Sequence, residues 1–285
     1  MRKILIQFDT DSQASVFDRV VAVDAGVDEM FSYSGITPDN VVPLVHGAIF
    51  TRGPQDLKNT AIFIGGGNVA AGEQLLAKVR ATFFGPMQVS VLMDSNGSNT
   101  TAAAAVLAAR KHLQLSNTIA LVLGGTGPVG HRAAQVLAME GAHVRVGTRS
   151  LEKAQQTCDA IAKAVPNAKV SPTETSSSAG LDAACEGVSL IIAAGAAGVE
   201  LLSAERRQAI KTLKVAVDLN AVPPIGLCGL KVVDKATERD GVLCYGAIGV
   251  GGLKIKIHKV AVARLFESND QVLDTSAIYA IGQSL

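Results

Sequence analysis

Ile119-Ala120-Leu121-Val122-Leu123-Gly124-Gly125-Thr126-Gly127-Pro128-Val129-Gly130 is the stretch whose reading decides the fold. The uncharged run 119–123 reads as a strand buried on both faces, and Pro128 suits the first turn of a helix that follows. Gly125, Gly127 and Gly130 stand at the G-x-G-x-x-G spacing of a dinucleotide-binding turn, with Thr126, Pro128 and Val129 between them. In such a turn the first glycine permits the sharp reversal and the second lets backbone approach a pyrophosphate. The third lets helix and strand pack closely, and the helix start faces the phosphates. A glycine-rich turn without a ligand is the alternative. Against it stands a second strand, 143–146, at the distance the fingerprint requires.

Working outward, the alternation continues with helices 128–140, 151–164 and 204–213 and strands 188–194 and 215–219. This is the pattern of a doubly wound parallel sheet. Upstream the same alternation predicts strands 3–8, 61–64 and 88–93 and helices 15–25, 69–83 and 100–112. A polar link, 114–118, separates the two halves. The expectation is an α/β protein of two domains. Residues 1–115 plus 255–285 form an α/β substrate domain, and 116–254 form a Rossmann-type doubly wound parallel sheet. Two terminal helices, 253–266 and 274–283, are expected to return to the first domain, and Ser176-Ser177-Ser178 reads as a surface loop.

Composition narrows the function. With 285 residues, 26 Lys+Arg against 25 Asp+Glu and 48% apolar content, the chain has core enough for two domains and no basic field. Nucleic acid and anionic membrane are therefore not expected partners. The longest uncharged apolar stretches, 190–199 and 242–253, fall short of a membrane span. Ile4-Leu5-Ile6 is too short for a signal peptide, so a cytoplasmic location is expected. Cys158, Cys185, Cys228 and Cys244 lie far apart without metal-ligand spacing and read as reduced thiols, with no metal site.

An NAD site would carry an acid near the end of its second strand, about 20 residues past the glycines, to accept the ribose hydroxyls. Here the strand runs into Thr148-Arg149-Ser150. A guanidinium beside hydroxyls suits a 2′-phosphate, which favours NADP. Lys153 adds a second cation or is a solvated helix lysine. Ala194, Gly195 and Asn220, where later strands end, complete the expected cofactor-binding set. The polar run Asp94-Ser95-Asn96-Gly97-Ser98-Asn99-Thr100-Thr101 follows a strand, where ligands of α/β sheets bind, though capping accounts for part of it. Asp9-Thr10-Asp11 and Asp18 lie near the same topological position. No nucleophile elbow is present. Tyr33, Tyr245 and Tyr279 are followed four residues later by Thr37, Gly249 and Gln283, so the YxxxK arrangement of short-chain dehydrogenases and folate cyclohydrolases is absent.

Thr60 to Gly67, Phe83-Phe84-Gly85-Pro86, the run from Asp94 to Ala104, Gly125 to Gly130 and Gly251-Gly252-Leu253-Lys254-Ile255-Lys256-Ile257-His258 together resemble the methylene-tetrahydromethanopterin dehydrogenases of methylotrophic bacteria. The resemblance covers nearly the whole chain and is closest to the NADP-dependent branch that also accepts methylene-tetrahydrofolate. It implies hydride transfer from the methylene bridge of a tetrahydropterin to NADP, within one-carbon or formaldehyde oxidation, in a homo-oligomer. Catalysis is then mainly positioning, in a cleft between domains. It implies a catalytic or substrate-positioning role for Lys254, with Lys256 and His258 secondary. A helix beginning after Gly252 would place Lys254 in its first turn, against the helix dipole. Asp94 or Asp18 is expected to stabilise the developing positive charge, and Asn96, Ser98, Asn99 and Thr100 to bind the pterin. A non-catalytic NADP-binding sensor is the competing class.

Overall fold

The computed structural model describes residues 1–285. The first part of the chain forms β1 (Ile4–Asp9), α1 (Val16–Asp24), β2 (Glu29–Tyr33), α2 (Val42–Phe50), β3 (Thr60–Gly65), α3 (Val69–Thr82), β4 (Ser90–Met93) and α4 (Ser98–Arg110). Then come β5 (Ile119–Leu123), α5 (Pro128–Met139), β6 (His143–Thr148), α6 (Leu151–Ala164), β7 (Lys169–Glu174), α7 (Ser178–Cys185), β8 (Leu190–Ala193) and α8 (Ala204–Ala209). The chain ends with β9 (Val215–Asp218), β10 (Lys235–Arg239), β11 (Val242–Tyr245), α9 (Ala247–Arg264), β12 (Val272–Leu273) and α10 (Thr275–Gln283). No helix is long and apolar enough to cross a membrane. All four cysteines are free thiols.

Two compact units result, Met1–Thr100 with Ile255–Leu285, and Thr101–Lys254. The first division falls inside α4 and not at the polar link 114–118. Residues Ala102 to Ala109 of that helix are all buried, and from Thr101 onward the helix falls in the second unit.

In the first unit the sheet order is β12-β4-β3-β1-β2, and every pairing is parallel. One face carries Ile6, Phe8, Ile62, Ile64, Val91 and Met93, packed with Val45 and Ile49 of α2 and Leu75 and Val79 of α3. Strand order reverses between β1 and β3, so the loops after these strands flank a crevice of the kind that receives ligands in open α/β sheets. In the second unit the order is β10-β11-β9-β8-β5-β6-β7, parallel except for the β10–β11 hairpin. Its reversal lies between β5 and β8, immediately after the glycine-rich turn.

Several elements escaped the sequence pattern because edges need no continuous apolar run. β7 contains Lys169 and Pro172, which an edge strand tolerates. The serine run expected to be a loop instead starts α7, where Ser177 Oγ accepts a hydrogen bond from Gly180 N. Among the sheet edges, β10 has a register shift and charges, β7 has its proline, and β12 is two residues long. β2 has one charge, Glu29 at its start paired with Arg2, but no register shift and no proline, and its Phe31 and Tyr33 are exposed.

The largest correction concerns α9, which begins at Ala247 and makes Lys254 its eighth residue. The glycines expected to precede the helix are inside it. A Cβ on Gly249 would stand 1.8 Å from the Asp234 carbonyl oxygen, and one on Gly246, just before the helix, 2.1 Å from that of Lys231. The helix therefore starts in direct contact with backbone, which only glycine permits, and Lys254 meets no first-turn dipole penalty. Around Gly252 there is open space. Gly249→Ala is expected to cost about 1–3 kcal/mol by overpacking. Gly252→Ala should instead stabilise by about 0.5–1 kcal/mol through helix propensity. Thermal unfolding of the two variants checks the opposite signs.

Candidate functional site

After β5 the chain turns at Gly124, whose φ is +71° and whose added Cβ would lie 2.7 Å from the backbone nitrogen of Gly195. The tight-turn role expected of Gly125 thus belongs to Gly124, a residue outside the spacing pattern but directly following the strand. Gly125 serves the packing of the turn on β6. Its N–H donates to the Gly147 carbonyl at 3.0 Å, and a Cβ there would meet Val146 Cγ1 at 2.8 Å. Gly130 does what its spacing suggests, since a Cβ would come within 2.3 Å of the Gly124 carbonyl oxygen. Gly127 is the N-cap of α5, Pro128 follows, and no side chain caps the helix. First-turn N–H groups without a cap bind anions, so this turn fits a dinucleotide pyrophosphate on its own geometry. Thr126 and Val129 sit between these glycines.

At the end of β6, Thr126 Oγ1 donates to Thr148 Oγ1 at 3.3 Å. Arg149 is exposed and has no hydrogen-bond or ion-pair partner within the protein. Ser150 caps α6, its Oγ accepting from Lys153 N at 3.3 Å, and Lys153 is exposed in the first turn. Ala194 and Gly195 follow β8 at half-buried positions. Asn220 is corrected to a structural role. Its side-chain amide donates to Ala196 O (3.3 Å) and Pro224 O (3.5 Å), and its carbonyl accepts from Val222 N (3.0 Å). Neighbouring Asp218 is buried, which pushes its carboxyl above the usual range against the pull of the backbone N–H groups of Leu227, Asn220 and Gly226.

The end of the first unit's sheet is polar and tightly wired. Asp9 accepts from Asp11 N and Ser15 N, each at 3.0 Å, and Asp11 Oδ2 accepts from Gly67 N at 2.8 Å. Gly66, at φ +103°, lies against Thr10, and its carbonyl accepts from Asn96 N at 2.7 Å. The loops after β1, β3 and β4 are thus tied together.

Within this wiring Asp94 is spent, contrary to the expectation of a catalytic carboxylate. It is fully buried. One of its oxygens accepts from Asn99 N (2.8 Å) and Thr100 N (3.1 Å), and the other from Thr100 Oγ1 (2.6 Å). Asn99 is likewise interior, donating to Met93 O and accepting from Thr275 Oγ1. Asn99 and Thr100 are therefore corrected from substrate contacts to the helix cap. Ser98 is buried and its hydroxyl has no hydrogen-bond partner. Asn96 is exposed in the left-handed region at φ +56°. Asp18 is buried in the first turn of α1.

His258 is also corrected. It is fully buried, with its ring stacked on Phe63 at 5.7 Å between centroids, and presents nothing to solvent. Lys254 is half-buried and Lys256 exposed. No cluster of three or more His, Cys, Asp or Glu is placed to hold a metal ion. Because Asp94 ties the start of α4, Asp94→Ala should lower stability by about 1–3 kcal/mol through the lost cap and the donors left unsatisfied. Chemical denaturation measures that loss, and NADP affinity at the separate glycine-rich turn is expected to stay within twofold.

Comparison with known proteins accords with this geometry. A family model described as methylene-tetrahydromethanopterin dehydrogenase, N-terminal, matches residues 16–96. The bifunctional protein MdtA of Methylorubrum extorquens is 44% identical over 286 residues, spanning 100% of this chain and 99% of that protein. The NAD(P)-dependent methylenetetrahydromethanopterin dehydrogenase of the same organism is 32% identical over 278 residues, 94% of this chain and 93% of its own. Among solved structures, quinate dehydrogenase from Corynebacterium glutamicum in complex with NAD aligns with a TM-score of 0.50 at 14% identity, covering 100% and 99% of the two chains. Ligand-free 5-ketofructose reductase of a Gluconobacter species aligns with a TM-score of 0.50 at 12% identity, with the same coverage. These two share the fold alone. Similarity to the NAD(P)-dependent methylenetetrahydromethanopterin dehydrogenase over 94% of the chain, together with the match over residues 16–96, shows that the chain belongs to the methylene-tetrahydromethanopterin dehydrogenase family.

Proposed function

We propose that the protein is a dehydrogenase that removes a hydride from the methylene bridge of methylene-tetrahydromethanopterin, and also of methylene-tetrahydrofolate, with NADP as acceptor, in one-carbon oxidation. Family membership supports the reaction. The observation that carries the choice of NADP is Arg149, exposed and unpartnered where an NAD site would place an acid. A relative described as bifunctional is compatible with two pterin substrates.

When bound, NADP supplies the hydride acceptor. Everything else asked of the chain is binding and orientation. The uncapped start of α5, with Gly127, Val129 and Gly130, holds the pyrophosphate, and Arg149 with Lys153 holds the 2′-phosphate. Departure of hydride from a carbon between two nitrogens leaves a cation delocalised over both, so no general acid or base is needed in that step. The rate then depends on holding the bridge carbon at near-attack distance, ~3–3.5 Å. Asn96, exposed on its loop, hydrogen-bonds the pterin ring. Asp18 is the carboxylate this reading retains for the developing charge. Lys254 bonds a pterin carbonyl or orients a carboxylate, since a cation at the bridge carbon would repel its product. The same reading includes a cytoplasmic location and a homo-oligomer, for which the exposed Phe31 and Tyr33 on the β2 edge give a physical motive.

A charge-assisted hydrogen bond contributes roughly 1.5–3 kcal/mol, so Arg149→Ala should weaken NADP use about 10–100-fold and leave NAD use unchanged. Steady-state KM values for both coenzymes decide it, and an unaltered preference overturns the assignment. For Lys254, comparison of kcat in Lys254→Ala and Lys256→Ala at saturating NADP is the test. A large loss confined to the first is expected, and equal small losses return both lysines to a solvent role.

A further inference from the structure

Glu174 raises a question that NADP binding alone does not answer. It is the last residue of β7 and pairs in register with Thr148 on β6, so an acid stands one residue step from Arg149. The backbone continues the pairing, Thr175 N donating to Thr148 O at 3.0 Å. A half-buried carboxylate one residue step along the paired strands from an exposed guanidinium is placed to pair with it, yet Arg149 has no such partner. The carboxylate is held elsewhere. One oxygen accepts from the N–H and hydroxyl of Ser176 and from Ser177 N (3.0 Å), and the other accepts from Ser177 Oγ (2.8 Å). Gly180 makes the seat, since a Cβ there would stand 2.3 Å from Glu174 Oε2.

We propose that Ser176 and Ser177 are positioning residues for coenzyme choice, which hold the Glu174 carboxylate off Arg149 and so leave the guanidinium to the 2′-phosphate. The proposal rests on the NADP reading above. Four hydrogen bonds to the charged form also keep Glu174 well ionised, with its carboxyl drawn down to about 2 by the Ser176 and Ser177 donors. Once released, it would still be an anion at neutral pH. It would then compete with phosphate for the same cation and repel the phosphate as well. An NAD site uses an acid at the end of the second strand, where Arg149 follows β6 here, so the serine seat makes the acid that ends neighbouring β7 compatible with NADP at Arg149.

The test uses two small probes, 2′,5′-ADP, which carries the 2′-phosphate, and 5′-AMP, which lacks it. Each is titrated calorimetrically into the intact protein and into Ser176→Ala/Ser177→Ala, with and without Glu174→Gln. The expected result is a loss of about fivefold in 2′,5′-ADP affinity in the serine variant, the scale of one exposed ion pair. Affinity for 5′-AMP should not change, and Glu174→Gln should restore the loss. Ser176→Ala alone keeps the α7 cap, which belongs to Ser177, and should show the same pattern in smaller degree should the double variant fold poorly. Equal weakening of both probes, no weakening, or no restoration by Glu174→Gln overturns the proposal and leaves Glu174 with a structural role at α7. An unaltered chain that binds 2′,5′-ADP no better than 5′-AMP overturns the NADP reading itself, and the proposal with it.

Discussion

The close approach of α5 to β5 is the constraint on which the second unit depends. Where Gly130 meets the Gly124 carbonyl there is no space for a single methyl group, and at Gly124 the chain takes a left-handed turn against the backbone of Gly195. These contacts bring the first turn of a helix, uncapped by any side chain, to the point where the strand order reverses. An uncapped helix start is a local defect in hydrogen bonding, and it persists because packing over-determines it. On the proposed reading a pyrophosphate bound there would remove the defect, and the feature that constrains the fold would also be the binding site.

The first unit solves the corresponding problem in the opposite way. Its strand order also reverses, between β1 and β3, and its loops are equally rich in Asp, Ser, Asn and Gly. There the polar groups satisfy one another. Asp94 neutralises the start of α4 from inside, and Asp9 and Asp11 bind backbone N–H groups of their own and the neighbouring loop. What remains exposed in the polar run after β4 is the side chain of Asn96, in the left-handed region. A rim whose polar groups satisfy one another is compatible with the proposed reaction, in which the protein moves no proton and its task is to hold a ring still.

The sequence made the second unit legible in most of its parts because parallel strands buried on both faces are continuous apolar runs, and because phosphate binding imposes glycines at fixed spacing. The place of Arg149 was equally readable, since it is one exposed charge at one strand end. What was not legible depended on contacts distant in sequence. Nothing local distinguishes the glycines at the start of α9 from a loop, because Gly246 and Gly249 are there to meet the backbone of residues 231–235, while Gly251 and Gly252 sit in the helix with open space around them. His258 looks like a cation on the face of Lys254, but Phe63 from β3 buries it. Asp94 and Asn220 carry the residue types of a binding site, and only the geometry reveals that loop and helix ends consume them. Edge strands such as β7, with Lys169 and Pro172, lack the periodicity that marks the interior ones.

The reaction turns on one chemical event, the passage of hydrogen from the bridge carbon to the coenzyme. The most direct measurement supplies methylene-tetrahydromethanopterin deuterated at the bridge, with NADP, and analyses the reduced coenzyme by mass spectrometry. One deuterium per NADPH formed, with none acquired from deuterated solvent when the substrate is unlabelled, is the result expected of direct hydride transfer. Failure to form NADPH, or NADPH whose new hydrogen comes from solvent, contradicts the account.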